Sequence, residues 1–183
     1  MSDSIQIILT AVDFAARKHK SQRRKGSLAE PYINHPIEVA RLLSTVGGIH
    51  DTDILVAAIL HDTIEDTETT SVELTELFGA RAASIVVEVS DDKKLPKLER
   101  KKMQIKHAPH LSAEAKLVKL ADKISNIEDI AANPPEGWSI ERKLEYIEWG
   151  INVIGGLRGI NAGLEELFEK VTTEALKEIG DQG

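Results

Sequence analysis

The stretch from Ile54 to Asp66 constrains the fold most strongly, because seven consecutive apolar residues run directly into four titratable side chains. A surface helix would interrupt such a run with polar residues, so the pattern predicts a buried helix whose end is aimed at a site. On a helix, His61 and Glu65 share one face as an i, i+4 pair. Asp62 and Asp66 share the neighbouring face, and all four side chains then converge on one patch.

A bound cation explains why four titratable groups follow a buried segment. Unpaired buried carboxylates are costly, and a metal ion offsets that cost. Adjacent His61 and Asp62 can ligate one metal, while an acid one turn later acts on a water at the ion. The alternative is a helix end that turns to solvent, with Glu65 and Asp66 as ordinary loop acids. The remaining sequence has to decide between the two.

Length and composition narrow the classes of protein. The 183 residues suit one domain, predicted to span 1–183, and 42% hydrophobic with 29% charged residues is typical of a globular chain. No apolar run approaches the roughly 18 residues of a membrane span, and the first residues lack a secretory signal, so we expect a cytoplasmic protein without membrane association. The absence of cysteine leaves histidine and carboxylates as the strong metal ligands.

The charge distribution predicts a small anionic ligand. A net charge of −7 argues against nonspecific nucleic-acid binding, which draws on many Lys and Arg contacts to phosphate. The positive charges nevertheless form two clusters, at 17–25 and 93–106. Arg23, Arg24 and Lys25 of the first cluster lie in a predicted loop from Ser21 to Tyr32, where Gly26 would permit unusual backbone angles beside a ligand.

Apolar periodicity and capping residues predict helices along most of the chain. His35 is expected as the N-cap of a helix with Pro36 at its first position, and Glu38 should accept a free N–H there. The segment 80–89 is ambiguous, because its run Ile85-Val-Val-Glu-Val is strand-like by composition, and it is interpreted as helix because its neighbours are helical. The other predicted helices cover about 4–19, 53–66, 71–78, 97–106, 113–131, 140–154 and 161–179.

Asp122 is the second unexpected carboxylate. It lies beside an apolar stripe within the helix capped by Ser112, and Asn126 is one turn further on its own face. An aspartate at the margin of a core is costly without a partner. Four residues are therefore explained by one divalent ion, Mn²⁺ with Zn²⁺, Fe²⁺ or Mg²⁺ also open: His35, His61, Asp62 and Asp122.

The order His, His-Asp, Asp on a helical chain resembles the HD phosphohydrolase superfamily. Further motifs follow at the spacing of the Rel/Spo hydrolase domain: Arg24-Lys25-Gly26, Tyr32-Ile-Asn-His35-Pro36, His61-Asp62-Thr-Ile-Glu65-Asp66 and Lys119-Leu-Ala-Asp122-Lys123-Ile-Ser-Asn126. From about Ala11 to Trp149 the chain is similar to the small alarmone hydrolases, the metazoan SpoT homologue-like group. The resemblance implies an all-α fold, a single HD-domain bundle of roughly eight to ten helices.

The resemblance also implies an activity and roles for individual residues. The activity is Mn²⁺-dependent hydrolysis of guanosine tetra- or pentaphosphate at the 3′ pyrophosphate, with His35, His61, Asp62 and Asp122 as metal ligands. Glu65 and Asp66 match the catalytic acidic pair, and which of them is the base stays open. Residues expected to contact substrate are Arg24, Lys25, Asn126, Tyr32, Lys97, Arg142 and Tyr146.

Two other functions stay open from the sequence. The same metal site could remove a phosphate from NADPH or act on other 3′-phosphorylated nucleotides, because each presents a phosphate on a ribose. A nucleotide sensor without catalysis is disfavoured, since no expected ligand or acid is replaced. The chain has no room for a synthetase domain, which predicts a constitutive degrader, and a homodimer is compatible with the sequence.

Overall fold

The fold is helical throughout the residues that the structure, a computed structural model, describes, which are 2–181. Within this range the β-type pairings are two isolated bridges, Arg23 with Pro31 and Gly26 with Pro135. The all-α prediction is confirmed. The α-helices of this range are α1 Ser2–Lys18, α2 Asn34–Thr45, α3 Thr52–Leu60, α4 Thr63–Asp66, α5 Ser71–Phe78, α6 Ala80–Val89, α7 Lys97–His107, α8 Ala113–Ala132, α9 Ile140–Gly155 and α10 Ala162–Gly180.

Helices α3 and α8 form the centre of the bundle. Helix α3 packs against α1, α2, α6 and α8, and Val56 through Leu60 are all buried. This surrounding of one helix by four others explains why its sequence is apolar on every face. Helix α8 packs against α2, α6, α9 and α10, and Leu120, Ile124 and Ile127 along it are fully buried. None of the helices described is both long enough and apolar enough to cross a membrane.

Capping side chains begin several helices where the sequence predicts. The Asp51 carboxylate accepts from the N–H groups of Asp53 and Ile54 at the start of α3. Thr70, Ser112, Ser139 and Asn161 each accept a backbone N–H at the start of α5, α8, α9 and α10. Each cap satisfies a donor that has no partner within its helix. The segment 80–89, with its β-branched run at 85–89, is helix α6, as predicted.

The predicted continuous helix through His61 and Asp62 is wrong. Helix α3 ends at Leu60, and α4 starts after a turn at these two residues. The Thr63 hydroxyl donates to the Leu60 carbonyl at 2.7 Å, and Nδ1 of His61 lies 2.7 Å from the Ala58 carbonyl. Side chains thus occupy carbonyls that the next turn of helix would need. Both turn residues keep φ and ψ in the αR region, so the side chains still converge.

The predicted N-cap role of His35 is also wrong. Helix α2 begins at Asn34, its cap position is Ile33, and His35 and Pro36 are the second and third helical residues. Proline is tolerated there because N–H groups of the first turn have no intrahelical acceptor. Glu38 does not accept a free N–H of this turn; its Oε2 instead accepts from the Ser125 hydroxyl on α8 at 2.8 Å.

Gly26 is required for a different reason from the one predicted. Its φ is not in the left-handed region, where the described glycines are Gly48, Gly79, Gly137 and Gly159. A Cβ at position 26 would lie 2.1 Å from Nδ2 of Asn133 and 2.3 Å from its backbone oxygen. The missing side chain therefore permits close packing of the 19–33 loop against the loop after α8.

Candidate active site

Four side chains from three parts of the fold meet at one point. Helix α2 supplies His35, the turn between α3 and α4 supplies His61 and Asp62, and α8 supplies Asp122. Oδ1 of Asp122 lies 3.2 Å from Nε2 of His35 and 3.7 Å from Nε2 of His61. Oδ2 of Asp62 lies 3.0 Å from Nε2 of His61 and 3.8 Å from Nε2 of His35. One ligand atom from each of His35, His61 and Asp62 falls within 4.8 Å of the others.

Hydrogen bonds orient both imidazoles with Nε2 facing this point. Nδ1 of His61 lies 2.7 Å from the Ala58 carbonyl, which only accepts, so Nδ1 carries the proton. Nδ1 of His35 lies 2.9 Å from the Ser125 hydroxyl, which donates its own proton to Glu38 and so accepts from the imidazole. Neutral histidines held in this way present an Nε2 lone pair, as metal ligands do.

The electrostatics of the cluster fit a cation. Burial lowers the pKa of His61, but the carboxylates of Asp62 and Asp122 outweigh burial and raise that pKa to about 10. Burial likewise raises the pKa of Asp62 and Asp122, and the cations beside them hold both values below the usual range. Nε2 of His61 is nevertheless buried without a hydrogen-bond partner. The raised pKa means that Nε2 of His61 carries a proton when no cation is bound. A divalent ion bound among these atoms would neutralise the carboxylates and replace that proton on Nε2.

Glu65 and Asp66 lie beside this cluster on α4 and have different surroundings. The Glu65 carboxylate accepts from Nη1 of Arg100 at 3.3 Å and from the Asp91 N–H at 3.2 Å. Burial and the negative charges of Asp62 and Asp91 raise the pKa of Glu65. Asp66 accepts from Nε2 of Gln22 at 2.7 Å and forms an ion pair with Lys93.

A polar cavity of about 820 Å³ opens over the cluster. Its wall contains His61, Asp62 and Asp122 together with both acids of α4. It also contains five cationic side chains: Lys25, Lys93, Arg100, Lys119 and Lys123. We call this cavity the polar chamber. Its positive wall is suited to a ligand with several phosphates.

A second cavity of about 630 Å³ adjoins the polar chamber. The two cavities share Lys25, Tyr32, Asp66 and Asn126, so they meet at a common wall. The remaining wall of the second cavity, which we call the aromatic chamber, includes Arg24, Ile130, Pro135, Trp138 and Tyr146. A ligand that spans both chambers has a planar apolar part at one end and anionic groups at the other.

Arg24, Asn126 and Tyr32 are held in place at the junction of the chambers. Nε of Arg24 donates to Oδ2 of Asp129 at 3.0 Å, and its Nη2 donates to Oδ1 of Asn126 at 3.2 Å. Nδ2 of Asn126 donates in turn to Asp122. The Tyr32 hydroxyl donates to Asp62. Asn126 and Tyr32 therefore hydrogen-bond directly to the aspartates of the cluster, and Arg24 is linked to Asp122 through Asn126.

The other predicted substrate contacts are divided between the cavity walls and their rim. Lys25 lines both chambers, and Tyr146 lines the aromatic one. Lys97 and Arg142 are absent from the walls of both chambers. The Arg142 guanidinium lies 4.4 Å from the centre of the Trp138 ring, which does line the aromatic chamber. Burial and the neighbouring cations, Lys25 first among them, lower the pKa of Lys97.

Sequence reasoning missed several residues of the polar chamber. The sequence identifies Arg100 only as a member of the basic cluster at 93–106, whereas in the structure its guanidinium donates to the Glu65 carboxylate. Lys119 and Lys123 lie within the motif around Asp122 but were not expected in the site. The spacing contained a signal for Lys119, because residue i−3 shares a face with Asp122 on a helix. Trp138 also lines the aromatic chamber, although it is not among the residues expected to contact substrate.

The fold, the His, His-Asp, Asp cluster and a family comparison define the class of protein. A family model described as HD domain matches residues 11–147. The chain therefore belongs to the HD domain family, as the sequence motifs indicated.

Within this family the chain is similar to the hydrolases named guanosine-3′,5′-bis(diphosphate) 3′-pyrophosphohydrolase MESH1. It is 57% identical over 162 residues to that of Homo sapiens, covering 88% of this chain and 90% of the relative. It is 56% identical over 165 residues to that of Xenopus tropicalis, covering 90% and 92%. A solved structure, described as a metazoan ortholog of SpoT that hydrolyzes ppGpp, superposes with a TM-score of 0.89 at 42% identity, covering 92% and 94%. The predicted resemblance to the small alarmone hydrolases is confirmed.

Proposed function

We propose that this protein hydrolyses guanosine tetra- and pentaphosphate at the 3′ pyrophosphate, releasing GDP or GTP and pyrophosphate. The observation that carries the proposal is the convergence of His35, His61, Asp62 and Asp122 in a cation-lined chamber that continues into an aromatic one. This combination suits a nucleoside with a phosphorylated ribose. The activity printed in the names of the similar MESH1 hydrolases supports the same substrate.

The proposed metal is Mn²⁺, held by the two histidines and two aspartates. A mixed set of imidazole nitrogens and carboxylate oxygens suits such an ion. When bound, it supplies positive charge to the phosphoryl oxygens and lowers the pKa of a water molecule toward neutrality. The side chains then perform the remaining chemistry. Ser125 and the Ala58 carbonyl hold the two imidazoles in the ligand tautomer.

Glu65 is the proposed proton acceptor. Water attacks the phosphorus bonded to O3′, the bond between that phosphorus and O3′ breaks, and O3′ takes up a proton from solvent water and leaves as the 3′ hydroxyl of GDP or GTP. The water proton passes to Glu65, whose pKa is raised by burial and so lies closer to the working pH. Asp66, engaged by Gln22 and Lys93, positions these groups at the junction of the chambers.

The chamber walls bind the rest of the substrate in this proposal. The guanine lies in the aromatic chamber against Trp138 and Tyr146, with the Arg24 guanidinium held alongside. The ribose and the phosphate to be cleaved lie at the shared wall formed by Lys25 and Asn126. The aromatic rings are suited to stacking on a base.

Product analysis tests the proposal directly. The Mn²⁺-loaded protein is incubated with guanosine tetraphosphate, and we expect GDP and pyrophosphate. Glu65→Gln should abolish turnover while the protein retains bound metal. The matched control is Glu76→Gln, at an exposed residue of α5, which should leave both turnover and metal content unchanged. Equal turnover in wild type and Glu65→Gln would contradict the assignment of the base.

NADPH is the competing substrate, because its ribose also carries a phosphate. Comparing kcat/KM for NADPH and guanosine tetraphosphate under the same Mn²⁺ concentration distinguishes the two. We expect the alarmone to be preferred. A strong preference for NADPH, with release of orthophosphate, would reject the proposed substrate and keep the proposed metal site.

A further inference from the structure

Lys119 is a buried lysine whose ammonium has no carboxylate in direct contact within the described part of the chain. Its residue is 9% exposed, and its Nζ donates to the Val89 carbonyl at 2.7 Å. No ion pair among residues 2–181 includes it. An ammonium has three donors, so two of them are available for a ligand. A buried charge without a counter-ion is costly, which indicates that an anion belongs beside it.

Lys123, one turn further along α8, is also buried, but its ammonium has contacts that the Lys119 ammonium lacks. Nζ of Lys123 lies 2.8 Å from Oδ2 of Asp122 and 4.7 Å from the centre of the Trp149 ring. Its charge is therefore matched within the protein. For Lys119, burial and repulsion from Lys123 lower the pKa, and the carboxylates of Asp122, Asp91 and Glu65, none of which forms an ion pair with it, offset that lowering only in part.

Lys119 lies at the end of the polar chamber away from the aromatic chamber. Helix α8 runs along both cavities: Asp129 lines the aromatic chamber, Asn126 lines both, and Asp122 and Lys119 line only the polar one. With a rise of about 1.5 Å per residue, Lys119 lies roughly 4.5 Å beyond Asp122 along the helix axis. The order along α8 is thus nucleoside end, junction, metal cluster and Lys119.

The proposed substrate has the same order of groups. Its guanine and ribose precede the phosphate that is attacked, and the terminal phosphate of the 3′ diphosphate is the last group. We propose that Lys119 binds this terminal phosphate, and then the leaving pyrophosphate, so that the site selects a diphosphate over a monophosphate on the ribose. This inference rests on the proposed function and adds a determinant of specificity to it.

Lys119→Met tests the inference, because methionine fills similar space without the charge. The variant is assayed on guanosine tetraphosphate and on guanosine 5′-diphosphate 3′-monophosphate, which lacks only the terminal phosphate. We expect kcat/KM for the tetraphosphate to fall roughly 10- to 100-fold, as when a hydrogen bond to a charged group is removed. The value for the monophosphate should stay within about twofold, since that substrate does not reach Lys119.

Two further variants control for structure. Lys116→Met makes the same substitution one turn earlier on α8 at a residue that lines neither chamber, and it should behave as wild type. Lys119→Gln removes the charge but retains an N–H donor for the Val89 carbonyl. It therefore keeps the test valid if the methionine variant fails to fold. Thermal unfolding and metal content are measured for all three. Lys119→Gln should show the same selective loss as Lys119→Met.

Pyrophosphate binding supplies a readout that does not depend on turnover. At a fixed free Mn²⁺ concentration, the Kd of pyrophosphate should rise roughly 10-fold or more in Lys119→Met, while that of orthophosphate should not change. Equal loss on both nucleotides, or an unchanged Kd for pyrophosphate, would overturn the inference. If wild type hydrolyses neither nucleotide, the proposed function fails, and the pyrophosphate measurement still decides the role of Lys119.

Discussion

Nδ1 of His35 lies 2.9 Å from the hydroxyl of Ser125, which joins a candidate metal ligand on α2 to a small residue on α8. The same hydroxyl donates to Oε2 of Glu38 at 2.8 Å. This chain of hydrogen bonds fixes the proton on Nδ1 and leaves Nε2 available to an ion. Ser125 therefore orients His35 without being one of the four side chains of the cluster.

Removing this hydroxyl should weaken metal binding. In Ser125→Ala, Nδ1 of His35 loses its buried partner and the partly exposed Glu38 carboxylate loses one of its contacts, and we expect Mn²⁺ affinity to fall roughly 10- to 100-fold. The loss of buried hydrogen bonds should also lower stability by about 1–3 kcal/mol. Metal titration and thermal unfolding measure the two effects. Ser90→Ala, which removes a hydroxyl that donates to the Val86 carbonyl, is the control and should keep full affinity.

The ion pair between Arg100 and Glu65 should set the acidic limit of activity. Burial raises the pKa of Glu65, and a proton acceptor must be ionised, so activity should be lost as pH falls through that raised pKa. Arg100 favours the ionised form, so Arg100→Gln should move the acidic limb upward by about one pH unit. The measurement is the pH dependence of kcat. Arg158→Gln, which breaks surface ion pairs far from the chambers, should leave the limb in place.

An unshifted acidic limb in Arg100→Gln would contradict this role, even if KM rises. A higher KM alone would mean that Arg100 contributes only charge to the chamber wall. The shape of the pH profile therefore separates the control of Glu65 from substrate binding.

The close packing of Gly26 on Asn133 should be necessary for substrate binding. A methyl group at position 26 cannot fit beside the Asn133 backbone oxygen, so Gly26→Ala must shift the loop that carries Arg24 and Lys25. A displacement of about 1 Å can cost on the order of 100-fold in rate, and we expect a fall in kcat/KM approaching that size. Gly155→Ala, where nothing lies within 4 Å of the added methyl, is the control. Wild-type kinetics in Gly26→Ala would refute the argument.

Phe168 should connect α10 to the rest of the fold. It is 1% exposed, and α10 packs against α8 and α9. Phe168→Ala should lower the free energy of unfolding by about 3–5 kcal/mol. If residues 1–183 form one domain, as the sequence predicts, denaturant unfolding stays a single transition. Leu176→Ala, at a residue 39% exposed on the same helix, should cost much less. A separate early transition for α10 would refute the single-domain prediction.

Local sequence determined the helices and most of their ends. Helices α3, α5 and α9 begin within one residue of their predicted starts, because the capping side chains of Asp51, Thr70 and Ser139 bond N–H groups only two or three residues away. The same local reasoning failed at His35, where the Pro36 rule placed the helix start too late. It failed again at His61, where side-chain hydrogen bonds to the Ala58 and Leu60 carbonyls end α3.

The sequence by itself determined the chemistry available to the site: two imidazoles, two aspartates and an acidic pair on a helical chain. Only the tertiary structure decided which atoms face one another, because His35, His61 and Asp122 meet through the packing of α2 and α8 around α3. The tertiary structure also places the Arg100 guanidinium beside the Glu65 carboxylate and places Lys119 in the wall of the polar chamber. Propensity and capping act over a few residues, whereas distances between ligands on different helices are set by burial of the whole core.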